Sequence, residues 1–299
     1  MQAKRLNING TIGIFCPSHV ADMGRYIPAF AAIERLGFRI KLGDNFQKDT
    51  YGYAASAEER AADLNSLVAD GSVQMVLFNG GASAAEILPL IDYDNIRRHP
   101  KIFSSYSDGT SILNAIYAQT GLITYYGMGA GEFSDLRHYD YMQFCSHFVE
   151  GFQADRFISN SNWKTLHGGV CEGTLIGGYT ALFGLMLANE NFQYNADKKY
   201  LLFLEDHEKF SGVGEVSSYL AFIGQSRFMK NVSGLIFGHY ALNAPEDLLR
   251  CLARFGAKYR IPVVYTDDFG HGAKHAILPI GMNAKLDADN QWMTFCNIP

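Results

Sequence analysis

Long apolar runs are missing from this 299-residue chain, and no stretch of about 18 apolar residues is present that could cross a bilayer. An excess of positive charge is missing too. With 25 Lys and Arg against 30 Asp and Glu the formal net charge is −5, which gives no reason to expect nucleic acid or a membrane as partner. The five cysteines, Cys16, Cys145, Cys171, Cys251 and Cys296, contain no C-x-x-C pair, and an odd, scattered set argues for reduced thiols instead of a disulfide framework. H-E-x-x-H is absent. His271 and His275 stand four apart, but Gly270 and Gly272 disfavour the helix that would aim both at one metal. The start, MQAKRLNINGTIGIF, lacks the apolar core and small-residue cleavage site of a secretory leader, so a cytoplasmic location is expected. There is no internal repeat and no low-complexity tract.

What is present is ordinary globular material, 48% hydrophobic and 18% charged, in a chain long enough for a large core in one or two domains. The first half alternates strand-like and helix-like patterns. TIGIFCP, FRIKLG, VQMVLFN, KIFSSY and LITYYG read as strands. Between them, MGRYIPAFAAIERLGF, SAEERAADLNSLVAD, a segment near ASAAEILPL, and SILNAIYAQTG read as helices. Ser56 three residues before Glu59 is the signature of a capping box. Such alternation predicts a parallel sheet with helices on both faces. Residues 129–172 lose the rhythm and read as an aromatic, helical connector or a cleft wall. A second α/β region follows, with strands YLLFLED, VSGLIFG and PVVYTD, and helices through VSSYLAFIGQS and PEDLLRCLARFGAKY, where Pro245 takes the first helical position. The end alternates like a hairpin about Asp287–Asn290.

Four places carry possible chemistry. Ser107 stands where KIFSSY should hand over to a helix, at the sheet edge where ligands bind in open α/β folds. It reads either as a turn serine or as a nucleophile elbow, although Ser105 replaces the first glycine of G-x-S-x-G. Asn79-Gly80-Gly81 ends the preceding strand, and glycines there suit a simple turn or backbone N–H groups aimed at an anion. Glu205-Asp206 ends YLLFLED, as histidine-orienting carboxylates or as caps. His271 follows PVVYTD in a glycine-flanked loop, exposed enough to act as a base. Ser107, Glu205 and His271 thus each follow a strand, in an order open to a nucleophile–orienter–base set.

The run NGGASAAEILPLIDYDNIRRHPKIFSSYSDGTSILNAIYAQTGLITYYG resembles the LD-carboxypeptidase family of serine peptidases, peptidase S66, which includes murein tetrapeptide carboxypeptidases and microcin C self-immunity proteins. IFCPS, EERAADLN, LLFLED, FGH and LPIGMNAKLD extend the resemblance over nearly the whole chain. The resemblance implies a catalytic triad of Ser107, Glu205 and His271, and an oxyanion hole from the backbone N–H groups of Gly81 and Asp108. It implies an N-terminal parallel-sheet α/β domain bearing the nucleophile (1–145), a connector (146–172), and a smaller C-terminal α/β domain bearing Glu and His (173–299), with the active site in the cleft between them. It also implies a homodimer acting on a small peptide or aminoacyl amide, with no metal and no organic cofactor. Ser105, Met128, Tyr179 and Val216 depart from the family pattern and bear on which substrate is taken.

Overall fold

The computed structural model describes residues 1–151 and 156–296. Residues 152–155 of the expected connector and 297–299 of the expected C-terminal domain lie outside the described residues. The chain divides into two compact units, Met1–Gln153 and Ala154–Pro299.

The first unit runs β1 (Thr11–Phe15), α1 (Met23–Arg35), β2 (Arg39–Leu42), α2 (Ala57–Ala69), β3 (Val73–Phe78), α3 (Tyr93–Arg98), β4 (Ile102–Ser105), α4 (Thr110–Thr120), β5 (Thr124–Tyr126) and α5 (His138–Phe144). Its strands pair in the order β2-β1-β3-β4-β5, every pair parallel. VQMVLF is buried almost throughout, as expected of a strand covered on both faces. The predicted capping box is present: Ser56 Oγ accepts from Glu59 N at 3.3 Å and Glu59 Oε2 accepts from Ser56 N at 2.9 Å. The segment Ala84–Leu90, expected as a helix, is a 3-10 helix. Pro89 lies inside it, with no amide hydrogen to give to an α-helical bond. Arg60 on α2, 1% exposed, donates to the carbonyls of Pro17 and Ser83 and so ties together the loops that follow β1 and β3.

The second unit holds β6 (Lys164–His167), β7 (Val170–Tyr179), α6 (Thr180–Met186), β8 (Tyr200–Glu205), α7 (Val213–Gln225), β9 (Val232–His239), α8 (Glu246–Tyr259), β10 (Val263–Gly270), β11 (Leu278–Ile280), β12 (Asn283–Asp287) and β13 (Trp292–Cys296). Its mixed sheet has the order β13-β12-β7-β8-β9-β10-β6, parallel from β7 to β10 and antiparallel outside them. The hairpin β12–β13 closes where the sequence placed it, with Asn290 N donating to Asp287 Oδ1 at 2.9 Å. Pro245 is the N-cap of α8 and Glu246 its first residue, a shift of one position. No helix among the described residues is long and apolar enough to cross a membrane.

His147 is 5% exposed in the turn that continues α5. Its Nδ1 donates to Gln143 O at 2.9 Å. Burial lowers its pKa from 6.5 to about 4. Between those values the unfolded chain binds more protons than the folded one, so stability falls as pH falls through that window. Thermal or urea unfolding at pH 7.5 and pH 4.5 should differ by an amount to which His147 contributes roughly 2–4 kcal/mol. His147→Gln should flatten the profile by that share; an unchanged acid slope would show that the histidine titrates normally.

Candidate active site

In the first unit the site is built on the carboxyl ends of β3 and β4. Ser107 follows β4 by two residues and opens a 3-10 turn, Ser107–Gly109, that leads into α4. Its φ is +59°, the left-handed region that side chains other than glycine rarely enter. That conformation costs roughly 1–2 kcal/mol, so its surroundings must hold it. Tyr126 OH accepts from Ser107 N at 3.0 Å, Thr110 Oγ1 donates to Ser107 O at 2.6 Å, and Gly109 N donates to Tyr106 O at 3.0 Å. The amino end of α4 begins three residues further on, and its dipole favours negative charge there. These are the properties of a strand-to-helix elbow.

Gly80 lies against this turn. A Cβ on Gly80 would stand 2.7 Å from Ser107 Cβ, 2.9 Å from Asp108 N and 3.0 Å from Ser107 Oγ, so only glycine lets the backbone come so close. Gly81 instead abuts Ser18. The Asp108 carboxylate points away into the protein and accepts from Ala84 N at 2.8 Å; burial raises its pKa. Of the residues that depart from the family pattern, Ser105 and Met128 are fully buried in this unit, and Met128 O accepts from Ser104 Oγ at 2.7 Å.

In the second unit Glu205 and His271 come together. Glu205 is completely buried at the end of β8, and His271 follows β10 directly. His271 Nδ1 and Glu205 Oε2 are 2.9 Å apart. A carboxylate can only accept, so Nδ1 carries the proton and Nε2 presents the basic lone pair. Gly270 has φ +106°, and a Cβ there would lie 2.9 Å from Glu205 Oε2, so glycine is required just before the histidine. Tyr179 and Phe210 lie with their rings against His271, at centroid distances of 5.6 and 5.2 Å. Val216 is buried in α7. The neighbouring Asp206 is also fully buried, and its pKa is raised to about 6 by that burial.

Sequence reasoning passed over several partners. His239, at the end of β9, pairs with Asp267 Oδ1 at 2.8 Å, and its ring lies where a side chain on Gly272 would go. Asp268 accepts from Ser159 Oγ, Asn160 N, Trp163 Nε1 and Thr266 Oγ1 at 2.8–3.0 Å, which pins the segment before β6 to β10. Both aspartates stand within four residues before His271. Nothing in the sequence pattern marks the Tyr126 contact. Among the described residues no group of three or more His, Cys, Asp or Glu side chains could hold a metal. The Cys16 thiol, pushed up to about 12 by burial, stays protonated and is no nucleophile.

An elbow serine at the edge of a parallel sheet in one unit, and a carboxylate-oriented histidine in the other, define a two-domain α/β hydrolytic fold. The chain belongs to the LD-carboxypeptidase family, peptidase S66: residues 12–127 match its N-terminal domain and residues 172–286 its C-terminal domain. The "probable murein peptide carboxypeptidase" of Bacillus subtilis is 34% identical over 68% of this chain and 64% of its own. The microcin C7 self-immunity protein MccF of Escherichia coli is 27% identical over 97% of this chain and 94% of its own. A solved structure of MccF without ligand superposes with a TM-score of 0.88 at 24% identity, covering 100% of this chain and 99% of that one, and MccF has also been solved with glutamyl sulfamoyl guanosine.

The strain at position 107 can be measured. Ser107→Gly should be more stable than Ser107→Ala by roughly 0.5–1 kcal/mol, because glycine enters the left-handed region without the Cβ clash. Urea titrations of the two variants decide it, and an alanine variant as stable as the glycine one would mean the turn is relaxed.

Proposed function

We propose that the chain is a serine carboxypeptidase that hydrolyses an amide bond in a small peptide, with Ser107 as nucleophile, His271 as general base and acid, and Glu205 as its orienter. The left-handed backbone of Ser107, a cost retained at the end of β4, is the observation that carries the reading. In this mechanism Ser107 Oγ attacks the scissile carbonyl carbon while His271 Nε2 takes its proton. The backbone N–H groups of Gly81 and Asp108 receive the oxyanion, each contributing roughly 3–4 kcal/mol to the transition state. The protonated imidazole then gives its proton to the leaving amine. Water, deprotonated by the same nitrogen, attacks the acyl-enzyme and releases Ser107. Glu205 holds the tautomer and favours the imidazolium as it forms. No step needs a Lewis acid or an organic cofactor.

Murein-type peptides are the first substrate class, supported by the 34% identity to the Bacillus subtilis protein. Peptidyl or aminoacyl nucleotide amides are the second, supported by near full-length similarity to MccF. We place residues 1–145 and 173–299 as the functional domains and 146–172 as their connector. A cytoplasmic location is supported by five unpaired cysteines. A homodimer is supported by family membership and by exposed Leu185 and Phe222, 70% and 71% accessible, which light scattering would test.

Ser107→Ala should lower turnover on the order of 10⁴-fold or more and abolish labelling by a fluorophosphonate probe. Retention of a tenth of wild-type turnover would remove Ser107 from the mechanism. The rate should rise with pH as the imidazole loses its proton, since a protonated His271 cannot accept one from Ser107. Glu205→Gln should lower the rate without restoring activity in acid. Dialysis against a chelator should leave turnover unchanged, and rescue by zinc would overturn the triad reading. Comparing a murein tetrapeptide with its C-terminal amide and an aminoacyl sulfamoyl adenosine separates the two substrate classes.

A further inference from the structure

The first unit contains a buried carboxylate that the triad does not use. Glu132 lies in the short 3-10 turn Gly131–Asp135 that follows β5, with its side chain 5% exposed. Every partner of its two oxygens is a donor. Oε1 accepts from Tyr106 OH at 3.0 Å, Asn79 Nδ2 at 3.4 Å and Arg25 Nη2 at 3.5 Å; Oε2 accepts from Gly129 N at 2.9 Å and Asn79 Nδ2 at 3.2 Å. Asn79 is held from its other end as well, Oδ1 accepting from Gly131 N at 2.9 Å and Tyr26 OH at 3.2 Å.

Two of these partners stand next to the reacting groups. Asn79 immediately precedes Gly80, and Tyr106 immediately precedes Ser107. One carboxylate therefore grips the residue before the glycine and the residue before the nucleophile. We propose that Glu132 is a positioning residue of the hydrolytic reaction, fixing the loop after β3 against the turn after β4 so that the oxyanion donors keep their place beside Ser107. The proposal rests on Ser107 being the nucleophile.

The chemistry favours this over simple filling. A buried carboxylate costs several kcal/mol of lost hydration, and an apolar side chain would fill the space without that cost. It is retained with donors on both oxygens from separate loops, an arrangement that locks geometry. The tolerance is small, since Gly80 has no room for even a methyl group beside Ser107. A misplacement of about 1 Å at such a site costs on the order of 10²-fold in rate.

Glu132→Gln keeps the shape but brings an NH₂ group into a ring of donors, so at least two donors then face another donor. The expected result is a kcat lower by on the order of 10²-fold with KM within about threefold. A peptide boronic acid, whose tetrahedral adduct on serine imitates the oxyanion, should lose affinity by the same factor, while the hydrolysis product binds as before. Asn79→Ala should show the same signature and carries the test if Glu132→Gln does not fold. The double variant should be no slower than the slower single, because both act through one linkage. All rates are taken per site titrated with the fluorophosphonate, so a loss of folded protein does not count as a loss of catalysis. A per-site kcat within threefold of wild type in either single variant that folds would overturn the proposal. So would multiplying losses in the double variant, or product affinity falling as far as boronate affinity. Wild-type protein that does not react with the fluorophosphonate would instead sink the nucleophile reading, and this proposal with it.

Discussion

One serine held in a left-handed backbone conformation organises the first unit. Ser107 at φ +59° is a local cost that no isolated peptide would keep. It persists because Tyr126 OH, Thr110 Oγ1 and the start of α4 all fix the same turn. Gly80 follows from the same constraint, since the β3 loop closes over the turn only where a side chain is missing. The parallel order β2-β1-β3-β4-β5 puts these two loops side by side at one sheet edge. In such sheets loops at the carboxyl ends are where ligands bind.

Buried carboxylates are the recurring device around that constraint, and nearly every one is supplied with donors. Glu205 meets His271, Asp268 collects four donors from the segment before β6 and its own strand, and Glu132 gathers the loops beside Ser107. A charge buried this way is poor economy for stability. It fixes orientation, because an acceptor with donors converging from several chain segments has few alternative arrangements. Asp206, one residue from the carboxylate that orients the histidine, is as buried as Glu205 and accepts from His207 N at 2.8 Å, yet burial still raises its pKa to about 6.

Much of this was legible before the structure. Continuous apolar runs gave the buried strands, the Ser56–Glu59 spacing gave a real capping box, and the alternation after β11 gave the terminal hairpin. Ala84–Leu90 was misjudged because its apolar spacing fits a helix, while Pro89 denies it the α-helical bonding. Ser107, Glu205 and His271 stood out as candidates because each stands where a strand ends. The closeness of Gly80 to Ser107 was not legible, since a sequence shows a pair of glycines but not which of them abuts the serine. His239 and Glu132 gave no signal at all. A single histidine at a strand end and a single glutamate in an aromatic stretch look like any surface residue until partners 28 positions away for His239–Asp267 and 53 for Glu132–Asn79 are brought to them.

By itself the sequence determined the alternation of strands and helices, the breaks at which chemistry could sit, and membership of a peptidase family. These are local or near-local properties: periodicity, capping, turn chemistry and the order of short blocks are written in neighbouring residues. The tertiary structure decided the rest, namely which glycine touches the serine, which carboxylate orients the histidine, and which is spent on holding loops. Those depend on distances between residues far apart in the chain, and a buried polar group takes its role only from the donors and acceptors that folding places around it.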